Sequence, residues 1–447
     1  MLKKVYAKSP VCIQNIMISI ENMFVLYKKY NYLPFIRPMK KIFAEVGQIN
    51  INYEKEELEK RLEKFYNYTR KHTPYYKDTD SLSSSLVNNP ILKKDILRKN
   101  IQDFYSDEIT QKNCRTLFTS GSSGSPMEIK VAVKDLQFRY RIILKTMIDF
   151  GYKYDDVVGR ITGHDIADEN NIYRQDFINN QFFLSAFHIS DKTIHKYYNV
   201  IVENNIQALD GYPSAIYTLA KLFEQNNLKI DTIKIVYTTA EKLHRYQKEK
   251  IEKVFHCKVF DYYGSNEQSV YIYTCKNGHL HLSNKTGILE VLDDNYHPVA
   301  NGQVGKMIIT SFTSHFMPLI RYDIGDQCIV SKNQNCSCGN KGVIIDEIIG
   351  RDEDIFKTID GVYITRFSVV LKYLPSQIIE SQLILSNNKM SASLLYISKD
   401  VIDDILFKDY EKALISKIGT KYKIEKIKVS KIEKSSKGKT RAVIIEN

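Results

Sequence analysis

Apolar residues recur at helical spacing near the start of the chain, at Ile13, Ile16, Met17, Ile20, Met23, Phe24 and Tyr27, with Lys28 and Lys29 closing the run. One stripe at a period near 3.6 predicts an amphipathic helix. Two readings of it stand: a helix that docks its stripe on the protein's own core, and a basic amphipathic helix making peripheral contact with the inner membrane face. The run from Ile16 to Tyr27 is interrupted by Glu21 and Asn22. It falls short of the roughly 20 mostly apolar residues that a bilayer span requires. No small-residue cleavage site follows, so it reads as neither span nor signal peptide. A second helix is predicted from about Glu54 to Lys71, with Leu58, Leu62 and Phe65 on one face and charges on the other.

Further on, the pattern alternates between two periods. Helix-type runs cover Asp135 to Tyr152, Ile194 to Asn204 and Ser214 to Gln225. Strand-type runs cover Val157 to Thr162, Gln207 to Leu209, Ile233 to Thr238 and Val254 to Tyr263. Alternation of this kind predicts an α/β fold whose strands end in ligand-bearing loops at one edge. Those loops include Thr162-Gly163-His164, Asp210-Gly211-Tyr212 and Thr239-Ala240-Glu241; His164 has no claim beyond its position. Beyond Gly350-Arg351 the units are smaller, with strands at Gln382 to Leu385, Ser391 to Ile397, Ile424 to Val429 and Ala442 to Ile445, and a helix from Val401 to Ile418. The expected division is a large unit over 1–350 and a small α+β unit over 351–447.

Composition narrows the class. With 447 residues, 43% hydrophobic and 26% charged, the chain reads as globular and long enough for two domains of unequal size. Seven cysteines, an odd number scattered along the chain, speak against a secreted disulfide framework and for the cytoplasm. The net charge of +12 suits an anionic partner or a lysine-rich proteome. From Lys421 to Asn447 nine Lys or Arg face three Glu. No nucleic-acid module or interleaved aromatic accompanies that basic end, so no nucleic-acid partner is expected.

The stretch richest in chemistry is Thr116-Leu-Phe-Thr-Ser-Gly-Ser-Ser-Gly-Ser-Pro126. A β-type run empties into Thr119, Ser120, Gly121, Ser122, Ser123, Gly124 and Ser125, and a second β-type run, Met127 to Val133, follows. Such a loop is either a flexible connector or a phosphate cradle, in which glycine brings backbone N–H groups close and hydroxyls donate. It lacks the Walker A spacing. Downstream, in fixed order, come Tyr263-Gly264-Ser265-Asn266-Glu267, Arg321-Tyr322-Asp323-Ile324-Gly325-Asp326, Gly350-Arg351-Asp352-Glu353-Asp354 and Lys437-Gly438-Lys439. Together with the Ser/Gly loop this series resembles the signature motifs of adenylate-forming enzymes, and within them the phenylacetate-CoA ligase branch and its capsular-polysaccharide biosynthesis proteins. The likeness runs over nearly the whole chain, from Ser9-Pro10 to Gly438-Lys439.

The resemblance implies a large adenylation domain with mixed sheets and flanking helices and a small mobile C-terminal lid. It implies ATP and Mg²⁺, with the Ser/Gly loop on the phosphates, Glu267 on Mg²⁺, Asp326 and Arg351 on the ribose, and Ala240, Glu241, Tyr263, Gly264 and Ser265 around the nucleotide. Lys439 would be the catalytic lysine. Many relatives carry Lys or Arg where Ser125 stands, so this loop is the less cationic one. Cys275, His279, His281, Cys336 and Cys338 read by themselves as buried or free thiol chemistry, since Cys-x-Cys is not the commonest zinc spacing. The resemblance instead implies a structural Zn²⁺ on Cys275, His281, Cys336 and Cys338, with His279 as rival to His281. The implied function is activation of a small carboxylate as acyl-adenylate and acyl transfer to a thiol, on CoA or a carrier, or to an amine, in capsule biosynthesis. A catalytically silent assembly factor with this fold is the alternative.

Overall fold

Among the described residues three longer helices, α1 (Val11–Tyr30), α2 (Met39–Gly47) and α3 (Lys55–His72), and two short ones, Pro74–Lys77 and Lys94–Lys99, precede a hairpin of β1 (Cys114–Phe118) and β2 (Glu128–Ala132). The computed structural model describes residues 6, 9–31, 39–77, 83, 85–118, 127–162, 171–186, 188–189, 192–243, 245–351, 356–359, 363–364, 367–375, 377–398, 400–430, 432 and 443–446. Of Arg351 the backbone alone is described.

After α4 (Val133–Phe150) come β3 (Val158–Thr162), β4 (Tyr173–Asp176), β5 (Gln181–Ser185), α5 (Ile194–Glu203), β6 (Ala208–Gly211), α6 (Pro213–Gln225), β7 (Ile235–Thr239), α7 (Arg245–Phe255) and β8 (Lys258–Tyr263). Then follow β9 (Ile272–Thr274), β10 (Leu280–Leu282), β11 (Gly287–Leu292), β12 (Val304–Ser311), β13 (Tyr322–Val330) and β14 (Ile344–Arg351). All strands from β3 to β14 join one twelve-stranded sheet in the order β11-β12-β13-β14-β10-β9-β8-β7-β6-β3-β5-β4. Strands β5, β3, β6, β7 and β8 run parallel. From β9 outward every pairing is antiparallel.

Helices cover both faces of the parallel half, which is why β7 buries four consecutive residues, Ile235 to Thr238, rather than every second one. On one face Ile201, Ile216, Phe223, Ile251 and Phe255 pack over Ile161, Leu209, Val236 and Val259. On the other, Ile142 of α4 meets Val158, Ala208, Tyr237 and Phe260. Strand β3 approaches β6 so closely that a Cβ on Gly211 would lie 2.3 Å from the Ile161 carbonyl oxygen. Only glycine fits there, and the chain turns at once into α6, which Pro213 starts with its fixed φ.

The small C-terminal unit has its own core. Strands β15 (Phe356–Lys357) and β16 (Tyr363–Ile364) form a short pair, and β17 (Ile378–Ser386), β18 (Ser391–Ser398), β19 (Lys423–Lys428) and β20 (Val443–Glu446) form a sheet in the order β19-β18-β17-β20. Helix α8 (Lys408–Ile418) packs Tyr410 and Leu414 against Leu383, Leu394 and Val443. The α/β class with a smaller α+β unit is as the pattern predicts.

Local departures have physical causes. The strand expected from Val254 starts at Lys258, because Ile251 and Phe255, one helical turn apart, face the core on α7. The helix expected from Val401 starts at Lys408; Asp403 accepts from the Ile405 N–H and caps a preceding 3₁₀ turn. The β4–β5 hairpin went unread, although Asn180, at φ +50°, is a recognisable turn residue.

Helix α1 docks by the face that the pattern would leave outside. Gln14, Asn15 and Ser19 are buried, while Ile13, Ile16, Ile20, Phe24 and Tyr27 are between 44% and 55% exposed. The polar side chains satisfy edge strand β4. Asn15 Oδ1 accepts from the Gln175 N–H at 3.1 Å, and Ser19 Oγ accepts from the Phe177 N–H at 3.0 Å. Arg174 Nε donates to Gln14 Oε1 at 2.5 Å, and Asn22 donates to Asp176 Oδ2 at 2.5 Å. An edge strand presents alternate backbone groups without partners, and polar side chains of α1 take them up.

Arg321 is a structural anchor. Its guanidinium forks onto Glu290 at 2.9 and 3.0 Å and donates to the Val87 and Asn89 carbonyls at 2.7 and 2.6 Å. Arg321→Lys keeps the charge but loses the planar fork and leaves buried acceptors short of donors. Denaturant titration should show a loss of about 1–3 kcal/mol.

Candidate functional site

Three segments converge where the parallel half of the sheet gives way to the antiparallel half. Strand β8 ends at Tyr263 and turns through Gly264, Ser265, Asn266 and Glu267. The Tyr263 hydroxyl donates to Asp326 Oδ2 at 2.6 Å, joining this turn to β13. Asn266 Nδ2 donates to the Phe118 carbonyl at 2.7 Å, joining it to the last residue of β1. Phe118 pairs with Glu128, so 119–127 connect the two strands of a hairpin. This differs from the strand-to-helix setting of a Walker A loop. Thr119, Ser120, Gly121, Ser122, Ser123, Gly124, Ser125 and Pro126 lie outside the described residues.

The turn after β8 rests on a cation that the pattern did not single out. Arg139 of α4 is 5% exposed and donates to the Ser269 and Val270 carbonyls at 2.5 and 3.2 Å. A Cβ on Gly264 would sit 2.8 Å from its Nη2, so glycine is what lets the turn close over the guanidinium. Burial lowers the Arg139 pKa to about 10, leaving it charged at neutral pH. The available signal was a pair of polar residues, Asp135 and Arg139, one turn apart on a helix face that is otherwise core. Glu267 is 3% exposed, and its Oε1 has no hydrogen-bond partner among the described residues. A buried carboxylate oxygen without a donor is costly unless a cation or donor occupies the space before it.

Asp326 stands opposite Arg351 in the β13–β14 register. At the end of β7, Ala240 takes a left-handed φ of +69° ahead of Glu241, a strained conformation of the kind that recurs at binding turns. Lys242 pairs with Glu347. Asp352, Glu353, Asp354, Lys437, Gly438, Lys439 and His164 lie outside the described residues.

At the far end of the β13–β14 pair, a second cluster joins a hairpin to a loop. Cys275 and His281 come from the β9–β10 hairpin, Cys336 and Cys338 from the β13–β14 connection. Their ligand atoms all lie within 4.8 Å of one another. Cys275 Sγ and Cys336 Sγ are 3.8 Å apart, too far for a disulfide. Tetrahedral Zn–S bonds of about 2.3 Å would set that separation at about 3.8 Å. His281 is fully buried; its Nδ1 faces the Gly342 carbonyl at 3.1 Å and its Nε2 faces Cys338 at 3.5 Å. His279 is exposed and reaches Cys336 from outside at 3.3 Å. The Asn340 N–H and Asn277 Nδ2 donate to Cys338 and Cys336. Burial opposes ionisation of Cys336, yet the Cys338 N–H and the two imidazoles bring it down to about 7, while burial pushes Cys338 up to about 12. The donor set, its spacing and its N–H···S contacts fit a metal ion.

No family model matches the chain. It is 26% identical to Protein CapK of Staphylococcus aureus over 464 aligned positions, covering 99% of both chains. It is 22% identical to a phenylacetate-coenzyme A ligase of Thermus thermophilus, covering 73% of this chain and 77% of that one. A solved 2-hydroxyisobutyryl-CoA ligase in the postadenylation state superposes with a TM-score of 0.56 at 17% identity, covering 88% and 89% of the two chains. The same ligase with CoA in the thioesterification state superposes at 0.55 and 18%. The likeness read from the motif series is borne out by these relatives, and the fold is the adenylate-forming one.

Proposed function

We propose, from the premise of an adenylate-forming fold and full-length likeness to Protein CapK, that this chain activates a carboxylic acid with ATP and passes the acyl group on. A carboxylate oxygen attacks the α-phosphorus, the new P–O bond forms and pyrophosphate leaves. The acyl carbon then goes to a thiol or an amine and AMP departs. The convergence of Tyr263, Asp326 and the end of β1 carries this reading, because one sheet edge then holds groups suited to ribose, phosphates and metal. Asp326 and Arg351 would hold the ribose, a carboxylate offering acceptors to two adjacent hydroxyls. Thr119, Ser120, Gly121, Ser122, Ser123, Gly124 and their N–H groups would hold the phosphates. Ala240, Glu241 and Tyr263 would wall the base, with Gly264 and Ser265 shaping the turn.

The unpartnered Glu267 oxygen fits Mg²⁺, which would supply charge neutralisation on the leaving pyrophosphate. Cys275, His281, Cys336 and Cys338 would hold a structural Zn²⁺. Residues 1–350 would form the adenylation domain and 351–447 the lid. The solved 2-hydroxyisobutyryl-CoA ligase is known in both a postadenylation and a thioesterification state, and the same alternation is proposed here. Likeness to Protein CapK supports a place in capsule biosynthesis. The acid is a small carboxylate and the acceptor a thiol on CoA or a carrier, or an amine.

ATP–pyrophosphate exchange with a panel of aryl, hydroxy and amino acids tests the reading, and exchange should rise above background with at least one class. Asp326→Asn, which keeps an acceptor for Tyr263, should weaken ATP and AMP alike by about 10-fold or more. Glu267→Ala should weaken ATP far more than AMP. Calorimetry with equal losses for both ligands in both variants contradicts the assignment. No exchange with any acid returns the silent assembly factor.

A further inference from the structure

Helix α1 faces solvent with its apolar side. Of its exposed positions, Val11, Cys12, Ile13, Ile16, Ile20, Phe24 and Tyr27 are apolar, and only Glu21 and Lys28 are charged. Its polar side chains are committed inward to β4. Leu26 and Tyr30, which pack with Ile42, Val46 and Leu144, fix its C-terminal end to α2 and α4. The apolar row is therefore held outward by a hydrogen-bonded base. Just past β4, Phe177 and Ile178 are also exposed.

Charge identifies what covers this row. The first 44 residues carry Lys3, Lys4, Lys8, Lys28, Lys29, Arg37, Lys40 and Lys41 against Glu21 alone, a surplus of seven in a chain whose whole surplus is +12. The basic residues lie on both sides of the apolar row in sequence, and Lys28, Lys40 and Lys41 are exposed. A second copy of α1 laid on the row, parallel or antiparallel, brings basic end against basic end. An anionic lipid surface instead takes the apolar side chains among its acyl chains and the lysines at its headgroups. Among the described residues no helix is long and apolar enough to cross a membrane, so the contact lies along the surface. At about 1.5 Å per residue, the row from Ile13 to Tyr27 runs roughly 21 Å along the helix.

We propose that the outward row Ile13, Ile16, Ile20, Phe24 and Tyr27 of α1 is a docking surface for an anionic lipid bilayer. Contact of this kind does not depend on the ligase chemistry; it would hold the large unit at a membrane whether or not the chain forms adenylates.

Flotation of the full chain with phosphatidylcholine vesicles, with and without phosphatidylglycerol, tests it. The protein should float with the phosphatidylglycerol vesicles, stay below with pure phosphatidylcholine, and bind less at about 1 M salt, where the Debye length is about 3 Å. Ile16→Ser, Ile20→Ser and Phe24→Ser combined should lower partitioning more than about 100-fold, because each side chain contributes apolar burial. The unfolding midpoint should stay that of the parent, since all three are exposed. Val401→Ser, at a position 84% exposed on the small unit, should bind like the parent. The chain has no Trp, so Phe24→Trp supplies a single reporter whose emission should shift to the blue with phosphatidylglycerol vesicles and not without them. The proposal is overturned if the parent fails to float with phosphatidylglycerol vesicles, if the triple variant floats as well as the parent, or if Val401→Ser loses binding equally. A concentration-dependent dimer abolished in the triple variant, without vesicle binding, would make a second copy the occupant and overturn it too.

Discussion

Lys439→Ala should lower acyl-adenylate formation by about 100-fold or more, the scale of removing one well-placed charge from a closed reaction site. The same variant should transfer acyl groups from supplied acyl-adenylate at close to the parental rate. The difference follows from where Lys439 sits in the topology. Strands β19 and β20 are the two edges of the small sheet, and Lys439, four residues before Val443, belongs to the segment that connects them. On the proposed alternation, a lysine on the small unit would reach the reacting oxygens in one arrangement only, so that it would serve adenylation and be absent from transfer. Glu353→Pro should do the reverse, because a fixed φ in the run that joins the units resists rotation while adenylation proceeds. Pyrophosphate release measures the first half-reaction, and consumption of added acyl-adenylate measures the second. Equal impairment of both by Lys439→Ala would end the moving-lysine account.

Protein purified without added metal should carry one equivalent of zinc, and stripping it with a strong chelator should lower the unfolding temperature sharply. Structural zinc sites bind with apparent free energies of about 10–16 kcal/mol in small peptides, and folding of the liganded segments draws on that energy. Here the ion would clamp the β13–β14 connection to the β9–β10 hairpin. Both flanking strands carry residues proposed to hold the nucleotide, Asp326 on β13 and Arg351 on β14, opposite each other at the other end of the pair. Loss of the clamp should therefore weaken ATP as well as destabilise the fold. Cys336→Ser and His281→Ala should lose the metal, whereas His279→Ala should keep it, since His281 is buried with its Nδ1 on the Gly342 carbonyl and His279 is exposed. Elemental analysis below about a tenth of an equivalent, with unchanged stability in Cys336→Ser, would exclude a structural zinc.

The helices at 133–150, 194–203 and 213–225 and the parallel strands β3, β6 and β7 were legible because local periodicity governs both kinds of element. The motif series was legible for a different reason, since residue type and order survive without knowledge of contacts. The antiparallel half of the sheet was legible only where motifs marked it. Its strands are short or irregular, and β13 shifts register twice against β14, so no clean period of two announces them.

Sequence by itself determined the α/β class, the order of the motifs and the presence of an amphipathic helix at the start. Tertiary structure alone decided which way that helix faces. An apolar stripe says that something apolar is sought, but the base on which α1 rests is set by β4, whose edge N–H groups draw Asn15 and Ser19 inward. It decided in the same way that His281 rather than His279 joins Cys275, Cys336 and Cys338 in one group, because the β9–β10 register buries the one and leaves the other in solvent. The place of Arg139 is set by Gly264, which closes over it from a turn more than a hundred residues away. Periodicity records what each residue prefers, whereas these placements depend on long-range contacts that no local pattern contains.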